Sequence, residues 1–236
     1  KDSLAIETVV VTAQRREEAA NDIGMPIQAF SGAALQQLRV TDPKDLSTVA
    51  PSFTVSQSYQ GVPTYTLRGI GFNTINLSAT STVGTYVDEV AYAYPFMNTG
   101  PMFDLERVEV LKGPQGTLYG RNTTAGLVDF VTNKPTDQFE AGLTAELGNY
   151  QTRNLEGYFS GPLGEKVQAR IAFRAEHSGK GWQVSNSRDE RQGEIHRQGW
   201  RLSLAAQPSE KVYIDFFYAG WGNTSDNVAA QAIGFM

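Results

Sequence analysis

From residue 139 onward the chain alternates apolar and polar residues with a period of two. Phe139, Ala141, Leu143, Ala145 and Leu147 interleave with Glu140, Gly142, Thr144 and Glu146. Val167, Ala169, Ile171, Phe173 and Ala175 interleave with Lys166, Gln168, Arg170, Ala172, Arg174 and Glu176. Trp200, Leu202, Leu204 and Ala206 repeat the pattern, as do Val212, Ile214, Phe216 and Tyr218. Leu155 to Gly161 is a weaker case. A helix scatters such residues around its axis, whereas a strand puts them on opposite faces. This part of the chain therefore folds as antiparallel sheet. A soluble sheet with one face on a core has the same alternation, so length is the discriminator. Soluble strands average about 5–6 residues. Strands of about ten residues, at about 3.3 Å each and a tilt near 40°, rise roughly 25 Å, the height of the apolar band of an outer-membrane barrel.

The connections alternate in length, as they do in such barrels. A tight turn is expected at Gly161-Pro162-Leu163-Gly164 and another at Pro208-Ser209, with a long polar loop over 179–197 between them. Tyr150, Trp200 and Trp221 fall near the long-loop end, where an interfacial aromatic girdle belongs. Phe173 is placed on the lipid face. Arg170→Ala, one face over, is expected to matter much less to folding.

The first 135 residues read differently. Residues 1–20 form an exposed, extended arm around the β-prone Thr8-Val9-Val10-Val11-Thr12. Residues 21–135 have the pattern of a mixed α+β domain. A strand at 26–30 leads to Ser31 as the N-cap of a helix over 32–38. Thr41 or Asp42 caps a second short helix with Pro43 at its first position and Asp45 in its first turn. Strands are predicted near 53–58, 64–68, 83–92, 105–112 and 126–132.

The 236 residues carry a net charge of −5 without a basic block, which argues against nucleic acid as a partner. The chain has no Cys, which removes thiol catalysis, disulfides and cysteine metal sites. Gly113 to Arg121 is glycine-rich but lacks the Lys-Ser/Thr ending of a phosphate loop. His177 and His196 flank the long loop, and neither is assigned to a metal. With no nucleophile–base pair in sight, an enzyme is not expected, and no cofactor is implied.

The stretch Phe103-Asp104-Leu105-Glu106-Arg107-Val108-Glu109-Val110-Leu111-Lys112-Gly113-Pro114-Gln115-Gly116-Thr117-Leu118-Tyr119-Gly120-Arg121-Asn122 closely resembles the end of the plug domain of TonB-dependent outer-membrane receptors. Three further segments agree in order. Glu7-Thr8-Val9-Val10-Val11-Thr12-Ala13 looks like the TonB box. Leu67-Arg68-Gly69-Ile70-Gly71 matches the family's arginine-glycine segment, and Gly84-Thr85-Tyr86-Val87-Asp88-Glu89-Val90 its aspartate strand. Glu89 and Ala125 stand where the family usually has Gly. The resemblance implies a TonB-box arm (1–20), a plug domain (21–135) and the first five or so strands (136–236) of a barrel of about 22 strands around a plugged lumen. The chain is read as an incomplete portion of such a receptor.

It also implies TonB, with its inner-membrane energising complex, as a partner that adds a strand to the arm. The setting would be the lipid bilayer of a Gram-negative outer membrane. Arg68 and Lys112 match plug cations that face acidic groups of the barrel wall. The connections 54–66, 69–82 and 91–103 should be the plug's outward apices, and none contains a charged residue. Their Tyr59, Gln60, Phe72, Asn73, Asn76, Tyr92, Tyr94, Phe96 and Asn98 suit a ligand near neutrality. The expected function is active uptake of an iron–siderophore complex, with a carbohydrate or small aromatic nutrient as the alternative. A passive porin or adhesin needs neither plug nor box.

Overall fold

The computed structural model describes residues 10–12, 18–19, 24–58, 61–72, 79–185 and 189–227. They divide into two compact units. The first contains 1–56, 64–95 and 105–132; the second contains 57–63, 96–104 and 133–236.

In the first unit a short antiparallel pair, β1 (Val10–Val11) and β2 (Glu18–Ala19), lies at the start. β3 (Ile27–Ser31) follows and hands the chain to α1 (Gly32–Gln37), whose N-cap is Ser31: its Oγ accepts from the Ala34 N–H at 3.2 Å. Asp42 caps the 3-10 turn Pro43–Asp45, and Asp45 bonds back to the Asp42 N–H, a reciprocal capping box. That turn continues into α2 (Leu46–Val49). β4 (Phe53–Gln57), β5 (Pro63–Leu67) and β6 (Ile70–Gly71) form a three-stranded sheet. The main sheet has the order β3-β9-β10-β7-β8, with β7 (Val83–Val87), β8 (Val90–Ala91), β9 (Leu105–Lys112) and β10 (Gly126–Thr132). β7 and β10 run parallel and the other pairs antiparallel. α3 (Gly116–Tyr119) sits in the β9–β10 connection.

The predicted strand at 83–92 is two strands joined by a tight hairpin. Its central residues Asp88 (φ 47°) and Glu89 (φ 67°) are both left-handed, as a type I′ turn demands. Glu89 itself takes the left-handed conformation that Gly adopts most easily. Asp88 is fastened from outside by the Thr132 N–H (2.9 Å) and hydroxyl (2.6 Å). The Arg68–Gly69 turn between β5 and β6 is built the same way, with φ of 53° and 80°. The parallel neighbour of β7 is buried along its whole length, so β10 reads as Gly-Leu-Val-Asp-Phe-Val-Thr without alternation.

The second unit is one continuous antiparallel sheet, β11 (Glu140–Gly148), β12 (Thr152–Gly164), β13 (Val167–Ser178), β16 (Ile195–Ser209) and β17 (Val212–Asn223). Here the expected turns shift. Gly164 pairs with Val167 and Ser209 with Val212, so the turns are Glu165-Lys166 and Glu210-Lys211, not Gly161 to Gly164 or Pro208-Ser209. Gly and Pro ride inside the strands next to register shifts, where a bulge absorbs them. The long connection is shorter than expected, since β13 and β16 extend to Ser178 and Ile195. Within it β14 (Gln183–Val184) pairs with β15 (Arg191–Gln192).

The sheet is inverted relative to a soluble one. Leu143 is 71% exposed, whereas Arg174 is 3% exposed. Phe159, Ile171, Trp200, Phe216 and Tyr218 share the outward face, and Trp200 and Tyr218 stack edge to face at 5.2 Å. Trp221 belongs to the other face, against Gly100, and so leaves the expected girdle. Among the described residues no helix is long and apolar enough to cross a membrane. An outward apolar band on long strands needs lipid rather than water. Phe173→Arg, within this band, should lower stability by about 2–4 kcal/mol, read as a reduced urea midpoint for the protein in liposomes. An unchanged midpoint would remove Phe173 from the lipid face.

Candidate functional site

The arm ends inside the first unit. Val11 is fully buried and packs with Tyr86, Leu111, Tyr119 and Leu127. Thr12 follows, and its N–H donates to Glu109 Oε1 at 2.8 Å. Its hydroxyl contacts the same oxygen at 3.2 Å, and Arg107 Nη2 donates to that hydroxyl at 3.1 Å. Arg107 also donates through Nε to Glu109 Oε1 at 2.7 Å and ion-pairs with Glu106. Glu109 is fully buried and stands directly opposite Asp129 across the β9–β10 ladder. Burial, then the Glu109 charge, pushes the Asp129 carboxyl up to about 7. Asp129 Oδ1 and Glu109 Oε2 have no hydrogen-bond partner among the described residues. A carboxylate so enclosed holds its donors strongly, because no water competes for them. Glu106 and Glu109 thus pair within the plug, Glu109 as the anchor of the arm. Glu7, Thr8, Val9 and Ala13 of the segment expected to be a TonB box lie outside the described residues.

Arg68 and Lys112 are neighbours. The Arg68 guanidinium lies 3.9 Å from the point where a Cβ on Gly113 would stand. The Lys112 ammonium is pushed below its ordinary pKa by partial burial first and then by the Arg68 charge. Two adjoining cations of this kind favour an anionic partner.

The apical segments are only partly described. Tyr59, Gln60, Asn73 and Asn76 lie outside the described residues. Phe72 is exposed. In the first unit Tyr92 is half-buried, its N–H bonded to Thr85 O at 2.8 Å, and Tyr94 is exposed. Phe96 and Asn98 belong to the second unit, in a 3-10 turn over Pro95–Thr99.

Sequence reasoning missed what the rest of that segment does. Residues 99–104 lie on the polar face of the second unit's sheet. Asn223 Nδ2 donates to Thr99 O at 3.0 Å, Gly100 lies against Trp221, and Pro101 and Phe103 fill the space beside Gly199. Asp104 is the anchor. Arg170 grips both its carboxylate oxygens, through Nε at 2.9 Å and Nη2 at 2.5 Å. Arg201 Nη2 donates to Oδ2 at 2.8 Å and to the Asp104 carbonyl at 3.1 Å. The Asp104 N–H donates to Glu156 Oε1 at 2.9 Å. Glu156 passes the network on to Arg174, which also binds Glu176 (2.8 Å) and Glu146 (3.2 Å). The expectation that Arg170→Ala matters much less to folding is therefore corrected: Arg170 is buried and forms half of a two-arginine clamp. The available signal was the polar parity itself, Arg170, Arg174 and Arg201 on one face of adjoining strands.

Residues 19–127 match the family model described as TonB-dependent Receptor Plug Domain. The vitamin B12 transporter BtuB of Vibrio vulnificus is 28% identical over 73% of this chain and 28% of its own length. The pesticin receptor of Yersinia pestis is 28% identical over 66% of this chain and 23% of its own. The chain thus spans under a third of these relatives. Among solved structures, the ferric yersiniabactin uptake receptor FyuA from Yersinia pestis superposes with a TM-score of 0.75 at 21% identity, covering 84% of this chain and 31% of that one. The pyoverdine receptor FpvA from Pseudomonas aeruginosa gives 0.75 at 19% identity over 91% and 30%. Residues 19–127 thus match the plug-domain family of TonB-dependent receptors, and the fold of the chain, an α+β plug domain followed by antiparallel transmembrane β-barrel strands, is that of the solved receptors.

Proposed function

We propose that the receptor containing these residues sits in the outer membrane of a Gram-negative cell and imports a scarce nutrient by TonB-coupled active transport. An iron–siderophore complex is the leading cargo. The observation that carries this reading is the extended Val10–Thr12 segment, strand-paired within its own chain and tethered to a buried carboxylate. A passive pore has no use for such an arm. A partner that spans the periplasm can take over the strand by pairing with its backbone. The solved relatives named above are receptors for ferric yersiniabactin and pyoverdine, and another relative transports vitamin B12, which supports uptake of a bulky complex as the class of task. Arg68 and Lys112 would face carboxylates of the barrel wall. The turns Glu165-Lys166 and Glu210-Lys211 would face the periplasm, and residues 179–194 the exterior.

Val10→Pro should abolish uptake while leaving ligand affinity intact, because proline removes a strand donor. Uptake at the wild-type rate in that variant would end the coupling assignment.

The three apical segments carry no charged residue, which supports a cargo near neutrality: a charge-balanced siderophore, or alternatively a carbohydrate or small aromatic nutrient. Burying a multiply anionic ligand against such segments would strip its water without supplying opposite charge. Tyr92→Ala and Tyr94→Ala should each weaken binding, and affinity should change little between low and physiological salt. A steep fall with salt would show that charge governs recognition instead.

A further inference from the structure

We propose that His177 and His196 form a two-histidine chelate for a late first-row divalent cation, Cu²⁺ or Ni²⁺ in preference to Zn²⁺, at the loop end of the sheet's outward face. The two residues are 19 apart in sequence, but the β13–β16 register sets them directly opposite each other. Their Nδ1 atoms face one another at 3.0 Å, with ring centroids 4.6 Å apart and planes inclined by 64°. His177 follows Ala175 and Phe173 on the outward face, just beyond the apolar band. The site is independent of the transport reading above.

Two neutral imidazoles this close share one proton: one Nδ1 donates and the other accepts. When the donor ring shifts that proton to its own Nε2, both Nδ1 lone pairs are available to a metal ion. At a metal–nitrogen distance of about 2.0 Å, nitrogens 3.0 Å apart subtend roughly 95° at the metal. That is the cis angle of square-planar and octahedral coordination, which Cu²⁺ and Ni²⁺ adopt. Tetrahedral Zn²⁺ would need the nitrogens spread to about 3.3 Å. The general affinity order for nitrogen ligands also places Cu²⁺ first.

The surroundings help one imidazole more than the other. Glu194 Oε2 lies 3.6 Å from His196 Nε2, a position that favours the proton on Nε2 and leaves the Nδ1 lone pair free. Arg153 is the cross-strand neighbour of His177 on its other side, so one cation and one anion flank the pair. Among the described residues no third His, Cys, Asp or Glu joins to complete a three-residue group. Water would fill the remaining positions, and the ion would exchange freely with solvent. Bound there, it would staple the outer ends of β13 and β16 and close the base of residues 179–194.

The test titrates Cu²⁺ alone into the detergent-solubilised full receptor and reads electron paramagnetic resonance. The expected result is one equivalent of Cu²⁺ with hyperfine coupling to two imidazole nitrogens. His177→Gln and His196→Gln should each weaken that binding at least tenfold. Arg153→Ala, which leaves both imidazoles, should retain it. Acid should release the ion, since a protonated imidazole has no lone pair to give. Equal Cu²⁺ binding by the wild type and the double variant would overturn the proposal. A second measurement needs no variant: Cu²⁺ should protect His177 and His196 of the wild type from diethyl pyrocarbonate. Full modification at saturating Cu²⁺ would overturn it as well.

Discussion

Asp104→Ala should destabilise the barrel portion by about 3–5 kcal/mol, because it removes the carboxylate that two buried guanidinium groups share. The Asp104 side chain is 2% exposed, and the partners that would lose it, Arg170 and Arg201, are 5% and 6% exposed. Arg170 otherwise stacks over the Tyr158 ring at 4.1 Å, and Arg201 over Phe103 at 5.1 Å. Asp104→Asn is the informative companion. Asn tolerates the left-handed backbone found here (φ 50°) and can accept one of the bonds, so its loss should be smaller. Urea titration of the receptor in liposomes checks both. Equal, small losses would mean that water enters and solvates the arginines once the carboxylate is gone.

The second large effect concerns pH. The folded state pushes the Asp129 carboxyl up from 3.8 to about 7. Burial is the largest cause, and Glu109, Asp88 and Glu89 add to it while Arg107 opposes it. The folded chain therefore keeps a proton that the unfolded chain gives up. This contribution favours the folded plug fully below about pH 4, declines as pH rises towards 7, and levels off above. At about 1.4 kcal/mol per unit the total is of order 4 kcal/mol. Asp129→Asn should abolish the slope. It should strengthen amide-exchange protection along β9 and β10 at pH 8 and change it little at pH 4. Equal protection of variant and parent at pH 8 would mean that the carboxylate is solvated after all.

Much of this architecture was legible in the residues. Ser31, Asp42 and Pro43 announced their helix starts because capping is local chemistry, settled within three or four residues. The five long strands were legible because alternation is a property of each strand alone. The turns at Glu165-Lys166 and Glu210-Lys211 were not, because Gly and Pro mark bulges as readily as turns, and only the register tells them apart. The Asp104 clamp was hidden for a related reason: its partners are 66 and 97 residues away. Asp104 stands between Phe103 and Leu105 with nothing local to mark it as an anchor. Thr12 was read as part of a β-prone arm, but its bond to Glu109 spans 97 residues and could not be read from propensity.

The two-residue turns have a consequence for how such a chain can change over evolutionary time. One residue added to Glu165-Lys166 would rotate β13 by one face and drive Arg170 and Arg174 towards hydrocarbon, and one added to Glu210-Lys211 would do the same to Asp215 on β17. Insertions there should be purged. Residues 179–194 face no such constraint, because β13 and β16 are already in register below them. Length variation should therefore accumulate in that loop, letting a lineage remodel it while the strands on either side keep their faces.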